Sequence, residues 1–167
     1  MVEIKTASKT DIPLIQQLAY NIWQVAYEDI LSKEQLAYML DTMHSPEALT
    51  KLMDEDHAFI IPYEDGVAKG YACYKIHPGK TRIEKIYILP DQQKKGIGKL
   101  LINYIIDKVS AQTNIIELNV NRQNHAVDFY KKLAFKIVKE VDISIGEGYF
   151  MNDYVMEKSL TTLPPVP

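Results

Sequence analysis

The stretch Ile86-Tyr87-Ile88-Leu89-Pro90-Asp91-Gln92-Gln93-Lys94-Lys95-Gly96-Ile97-Gly98-Lys99 constrains this chain more than any other part of it. An apolar strand-like run stops at a proline, which has no amide hydrogen and biases the preceding residue towards extended geometry. A short polar loop follows, and then Gly96 and Gly98 open a helix whose Ile97, Leu101, Ile105 and Val109 form one apolar stripe. Glycines let a backbone approach a ligand closely, and the first turn of a helix offers amide groups with a partial positive charge. Lys94, Lys95 and Lys99 add mobile positive charge at the same place. The junction suits a pyrophosphate, although glycines in such a place serve packing or turns as readily. It is not a P-loop, because the second glycine, lysine and Ser/Thr of that motif are missing. The first glycine of a dinucleotide-binding fingerprint is missing too, as is an early βαβ unit.

The rest of the chain parses around this junction. Val2 to Thr6 reads as a strand, and Thr10 or Asp11 can cap a helix in which Pro13 sits early. Lys33 to Met43 reads as a second helix, and Ser45-Pro46-Glu47 as the cap and start of a third. His57 to Pro62 and Val67 to Ile76 read as strands joined by the turn Glu64-Asp65-Gly66, and Arg82 to Leu89 as another strand. Ile115 to Val120 reads as a strand and Ala126 to Leu133 as a helix. Phe135 to Ile145 and Tyr149 to Lys158 complete a hairpin around Gly146-Glu147-Gly148. Runs of adjacent strands predict an α/β (α+β) arrangement whose central sheet is mixed and largely antiparallel, with neighbouring strands made parallel by two single-helix crossovers. At 167 residues the expectation is one domain over 1–160, with 161–167 (TTLPPVP) as a Pro-rich tail.

Charge is segregated along the chain. Residues 1–80 carry 7 Lys/Arg against 12 Asp/Glu, residues 81–139 carry 11 against 5, and residues 140–167 carry 1 against 5. A basic middle suggests an anionic ligand and the acidic flanks a cationic one, unless folding mixes the blocks. No apolar run approaches the ~20 residues of a membrane span. The first residues, with Glu3, Lys5, Lys9 and Asp11, lack the apolar core of a signal peptide, so the expected location is the cytoplasm. One cysteine, Cys73, allows no intrachain disulfide, and in its apolar strand it reads as a core thiol. His44, His57, His77 and His125 are scattered without metal-ligand spacing, so no metal is expected. Asp54-Glu55-Asp56 reads as a solvated helix end. An acidic whole with no recognition motif argues against nucleic acid.

A second block gives the junction its meaning. Gln93 to Gly98 (QKKGIG) after the strand IEKIYI resembles the coenzyme A loop of the GCN5-related N-acetyltransferase (GNAT) superfamily, whose pattern is Gln/Arg-x-x-Gly-x-Gly/Ala. Asn121 to Phe135 (NRQNHAVDFYKKLAF) is similar to that family's later stretch, an Asn before a helix bearing Phe-Tyr-x-Lys-x-x-x-Phe. Within the superfamily, IEKIYI, QKKGIGK and MNDYVMEKSL look most like PaiA-type polyamine acetyltransferases, a softer match. The resemblance implies a six- to seven-stranded sheet flanked by helices, acetyl-CoA as co-substrate, and a small amine as acceptor. It implies that backbone groups of Ile86, Tyr87 and Ile88 pair with the pantetheine arm. It further implies that Gln93, Lys94, Lys95, Gly96, Ile97, Gly98 and Lys99 form the pyrophosphate loop. Asn124 would bind the pantetheine, and Tyr130 would sit by the sulfur as the acid. Gln93 stands for the commoner Arg, and Ala134 for the usual Gly at the helix end, where a left-handed backbone would cost Ala ~1–2 kcal/mol.

Glu84 is the candidate base. Alternation places it on the face of Ile86 and Ile88, and PaiA-like sequences carry a Glu at the matching place. A solvated carboxylate paired with Arg82 or Lys85 is the competing role. Some relatives use a glutamate on the strand before the tyrosine helix, where this chain has Asn119, which cannot act as a base. Trp23, Tyr27 and Tyr38 lie where the family places acceptor contacts, and equally could be core. Protein amines are an alternative acceptor, a coenzyme A-binding sensor without turnover is a non-enzymatic alternative, and a homodimer is left open.

Overall fold

The computed structural model describes residues 1–160; the Pro-rich tail 161–167 lies outside the described residues. Among the described residues fifteen segments follow in order, two of them 3-10 turns, the first at Lys9–Asp11. β1 is Val2–Thr6, α1 Ile12–Ala26, α2 Lys33–Met43, α3 Pro46–Asp54, β2 Ala58–Glu64, β3 Val67–Ala68, β4 Gly70–His77 and β5 Gly79–Ile88. After a 3-10 turn at Pro90–Gln92 come α4 Ile97–Val109, β6 Thr113–Asn121, α5 Ala126–Lys132, β7 Lys136–Gly146 and β8 Tyr149–Ser159.

Two compact units emerge, Met1–Lys75 with Glu84–Asn103, and Ile76–Ile83 with the chain from Tyr104 onward. In the first, the strand order is β1-β2-β4-β5, with β3 beside β2; in the second it is β5-β6-β8-β7. The β1/β2, β2/β3, β2/β4, β6/β8 and β7/β8 pairs are antiparallel, and only β5/β6 is parallel among the registers described. The mixed, largely antiparallel sheet expected from the strand order is therefore present, with eight strands in place of six or seven.

Two features depart from the sequence reading. The run Val67 to Ile76 is not one strand, because Lys69 donates its amide to Pro62 and accepts the amide of Leu89, leaving the ladder between β3 and β4. Gly70 explains the break physically. A Cβ there would lie 2.3 Å from the Tyr87 carbonyl oxygen, so the close approach of β4 to β5 admits no side chain. The second departure concerns the crossovers. The α4 crossover does make β5 and β6 parallel neighbours, but β8 inserts between β6 and β7, so the strands joined through α5 do not touch as a ladder. The hairpin's second strand takes the inner position because it is the more buried, with Asp153, Val155 and Met156 all inside, whereas β7 is exposed along most of its length.

Local chemistry accounts for the helix and turn positions. Ser32 Oγ accepts the Gln35 amide at 3.1 Å and Ser45 Oγ the Ala48 amide at 3.1 Å, caps worth about 1 kcal/mol each. Asp11 works differently from expectation: its carboxylate reaches back to the Ser8 amide at 2.8 Å and makes no forward cap bond into α1. Asp65 and Gly66 both have positive φ (52° and 77°), as do Glu147 and Gly148 (53° and 79°), the signature of tight turns matched to strand twist. The first unit's core gathers Ile15, Ile22 and Trp23 of α1, Leu49 of α3, and Phe59, Ile61 and Tyr71 of the sheet. The second unit's core gathers Ile105, Val109, Ile116, Leu118, Phe135 and Met156.

Candidate active site

In the first unit the Pro90 stop and the loop behave as their composition requires. Lys94 and Gly96 have φ of 66° and 83°, so the backbone reverses hand twice before α4 begins. Gly96 then accepts the first helical bond, from the Leu100 amide at 3.0 Å, which leaves the amides of the first turn without an intrahelical partner. A Cβ on Gly96 would meet nothing within 4 Å, so this backbone faces open space. Lys94, Lys95 and Lys99 are exposed around it. Gln93 is exposed, and its side-chain amide donates to the Ile88 carbonyl at 3.3 Å, which ties the loop to the end of β5. Lys95 donates to Gln92, whose side chain is buried under the loop. A loop of positive-φ residues, first-turn amides and lysines fits a polyphosphate by charge and shape.

β5 itself carries Ile86, Tyr87 and Ile88 into this loop. Its ladder with β6 covers Gly79 to Ile83 and ends there. Tyr87 is also structural, since its hydroxyl meets that of Tyr27 at 3.1 Å and its ring lies 5.3 Å from Trp23. Glu84 is on the same strand, its side chain 28% exposed, with Oε1 3.9 Å from His57 Nε2.

An aromatic cluster lies beside these residues. Trp23 and Tyr27 are buried in the core, and Tyr38 is half-buried. The Tyr71 hydroxyl and His44 Nε2 share a hydrogen bond at 2.8 Å, and burial lowers the His44 pKa to about 2, so this imidazole is neutral. Burial likewise pushes the Cys73 thiol up to about 12, the behaviour of an inert core thiol, and lowers Lys85. Neither His44 nor Lys85 stood out in the sequence; both are polar residues within otherwise ordinary amphipathic segments.

In the second unit the Asn121-to-Phe135 block is built by its own hydrogen bonds. Asn124 Oδ1 accepts the Ala126 amide at 2.9 Å one residue before the N-cap His125, so its side chain is tied to the start of α5 through its oxygen while its NH₂ is a donor. Helix α5 ends in a Schellman motif: the Ala134 amide reaches the Lys131 carbonyl and the Phe135 amide the Tyr130 carbonyl, both at 3.0 Å. Ala134 has φ of 70°, the left-handed conformation that the sequence placed at this position. The motif fixes Tyr130, whose ring packs edge-on against Phe135 at 5.6 Å and Phe129 at 5.3 Å while remaining 6% exposed. Lys158 Nζ closes the helix end by donating to the Leu133 carbonyl at 2.6 Å.

Arg82 is engaged by Glu117 at 2.8 Å and by the Asn119 oxygen at 2.8 Å, and Asn119 donates to the buried Asp153 at 3.3 Å. Burial raises the Asp153 carboxyl, opposed by that hydrogen bond. Asn119 is thus held at both ends of its amide, in keeping with its exclusion as a base. Among the described residues there is no cluster of His, Cys, Asp and Glu able to hold a metal, and no helix long and apolar enough to cross a membrane.

Fold and loop together define an acetyl-CoA-dependent acyltransferase, and residues 27–156 match the family described as "Acetyltransferase (GNAT) domain". The chain belongs to the GNAT acetyltransferase family. It is 29% identical over 168 residues to a spermidine N(1)-acetyltransferase of Thermoplasma acidophilum, covering 94% of this chain and 96% of that protein. The solved structure of the PaiA N-acetyltransferase from Thermoplasma acidophilum in complex with coenzyme A superposes with a TM-score of 0.77 at 27% identity, over 95% of this chain and 99% of that one. A shorter match, 39% identical over 70 residues, covers 40% of this chain and 45% of a peptidyl-lysine N-acetyltransferase of Salmonella typhimurium.

Proposed function

We propose that residues 1–160 act as one domain that acetylates a small primary amine, with a polyamine as the leading acceptor, by direct transfer in a ternary complex. The observation that carries this reading is the full-length likeness to a spermidine acetyltransferase, which extends through both motif blocks. Acidic flanks outside residues 81–139 agree with a cationic acceptor.

Amides from Lys94 to Lys99 and their lysines hold the pyrophosphate, the backbone of Ile86 to Ile88 aligns the pantetheine arm, and the Asn124 side-chain NH₂ binds a carbonyl of that arm. Bound acetyl-CoA supplies the acetyl thioester. Glu84 takes the proton of the acceptor ammonium, because only the neutral amine has a lone pair with which to attack. Tyr130 gives its hydroxyl proton to the departing sulfur. Tyr130 is largely screened from water, which strengthens hydrogen bonding to the reacting sulfur, whereas Glu84 keeps access to solvent.

Peptide amines are the second acceptor class, favoured by the local match to a peptidyl-lysine acetyltransferase. Thiol release measured with acetyl-CoA and a panel of spermidine, spermine, simple monoamines and peptides tests the proposal. Turnover highest on polyamines is the expected outcome. Activity confined to peptides would replace the acceptor, and binding of coenzyme A without turnover on any amine would leave only a binding domain.

A further inference from the structure

We propose that His57 is the positioning partner of Glu84 and takes over the proton that Glu84 removes from the acceptor. The inference rests on the reading of Glu84 as the base. His57 occupies the step between α3 and β2, far in sequence from β5, and its side chain is 9% exposed. Its Nδ1 lies 3.1 Å from the Leu52 carbonyl oxygen. A carbonyl can only accept, so Nδ1 carries the hydrogen and the tautomer is fixed. The same carbonyl accepts the His57 backbone amide at 3.0 Å, which anchors the residue at both its backbone and its ring. Nε2 is then the ring nitrogen left to exchange a proton, and Glu84 Oε1 lies 3.9 Å from it.

At 3.9 Å the two groups make an ion-pair contact and no direct hydrogen bond, so a proton passes between them only when the side chains close that gap. When both partners are deprotonated, an imidazole lone pair faces a carboxylate, and one added proton relieves that repulsion from either side. During turnover the ammonium N–H bond breaks and a Glu84 O–H bond forms. That O–H bond then breaks as the Nε2–H bond forms, leaving an imidazolium beside a carboxylate and a neutral amine free to attack. The 28% exposure of Glu84 lets the proton return to water afterwards. Other charged groups surround the pair. The Glu84 carboxylate raises the pKa of both Lys85 and Cys73, and Lys75 follows Tyr74, the register partner of Ala58. On the α3 side, Asp54 is paired with Lys9, Glu55 with Lys51, and Asp56 completes the turn.

The pH dependence of kcat/KM for polyamine acetylation in wild type, His57→Gln and Glu84→Gln tests the idea. His57→Gln removes the group that takes up the proton, so it should move the acidic limb to lower pH and lower the plateau about tenfold. If this variant leaves the limb where wild type has it while Glu84→Gln changes it, the role of His57 is overturned and the base reading survives. A Glu84→Gln profile coincident with wild type overturns the base reading itself. Nitrogen-15 NMR of ligand-free wild type gives a readout independent of turnover and of how the variant folds. The expected signature is hydrogen on Nδ1 of the neutral His57 ring, as its bond to the Leu52 carbonyl requires; hydrogen on Nε2 in the neutral ring would overturn the proposal.

Discussion

Ala134→Gly should make the protein more stable, although it deletes a methyl group. Ala134 holds φ of 70°, where a side chain crowds the backbone by about 1–2 kcal/mol. Its methyl is exposed, so its removal sacrifices no packing. Glycine gains freedom in the unfolded chain, which returns about 0.4–1 kcal/mol. The net gain is about 0.5–1 kcal/mol, or about 1–4 °C in Tm for a chain of this size. The Schellman bonds from Ala134 and Phe135 use backbone amides only and should survive unchanged. Urea unfolding with an unchanged slope, alongside a thermal scan, measures the difference. Ala134→Val supplies the opposite sign, since a β-branched residue fits the left-handed region worst. A Tm for Ala134→Gly at or below wild type would refute the strain argument, and so would a Val variant equal in stability to wild type.

Acetyl-CoA at ~100 times its Kd should stabilise the wild type by about 2.7 kcal/mol, and Gly96→Asp should abolish that shift relative to its own ligand-free Tm by adding bulk and negative charge; an undiminished shift would remove the loop from the site. Tyr130→Phe should keep coenzyme A affinity and lower kcat by about 10²–10⁴-fold when chemistry is rate-limiting, and a kcat within about twofold of wild type would assign the acid elsewhere. The His44 pKa is depressed to about 2 in the folded state, so stability is full above the unfolded value near 6.5 and falls at lower pH. Between pH 6 and 4 that loss approaches about 1.4 kcal/mol per pH unit, and His44→Gln should flatten the Tm–pH curve there; parallel curves would refute the assignment. A polyamine acceptor drawn in by the acidic flanks should show an apparent KM that rises with ionic strength, measured at low and high salt.

Much of the fold was legible because it was specified locally. Ser45 with Pro46 starts a helix through its own hydroxyl and ring, and Glu64-Asp65-Gly66 turns because two adjacent residues accept positive φ. Ala134 was flagged through a family pattern, and its φ shows that the position does require the left-handed state. What stayed hidden was decided through space. No property of Val67 to Ile76 reveals that Gly70 must admit the Tyr87 carbonyl, since the residue it meets lies 17 positions later. Hairpin composition does not say which of its strands will face β6. The burial of β8 becomes visible only when Asp153, Val155 and Met156 are seen inside.

The same distinction governs the candidate site, and it explains why histidines defeated the sequence reading. Imidazole chemistry depends on what each nitrogen touches, and no spacing rule reports that for partners drawn from separate elements. His44 and His57 look alike in the sequence, each close to the end of a short helix. His44 shares a hydrogen bond with the Tyr71 hydroxyl within an aromatic cluster, its Nδ1 is buried without a partner, and its burial keeps it neutral, which suits a structural role. His57 has one nitrogen locked by the Leu52 carbonyl and the other 3.9 Å from a carboxylate on a strand that also carries the expected coenzyme A contacts. Two residues of one type, 13 positions apart, are thus separated into a core element and a proposed proton partner by what each of their nitrogens meets.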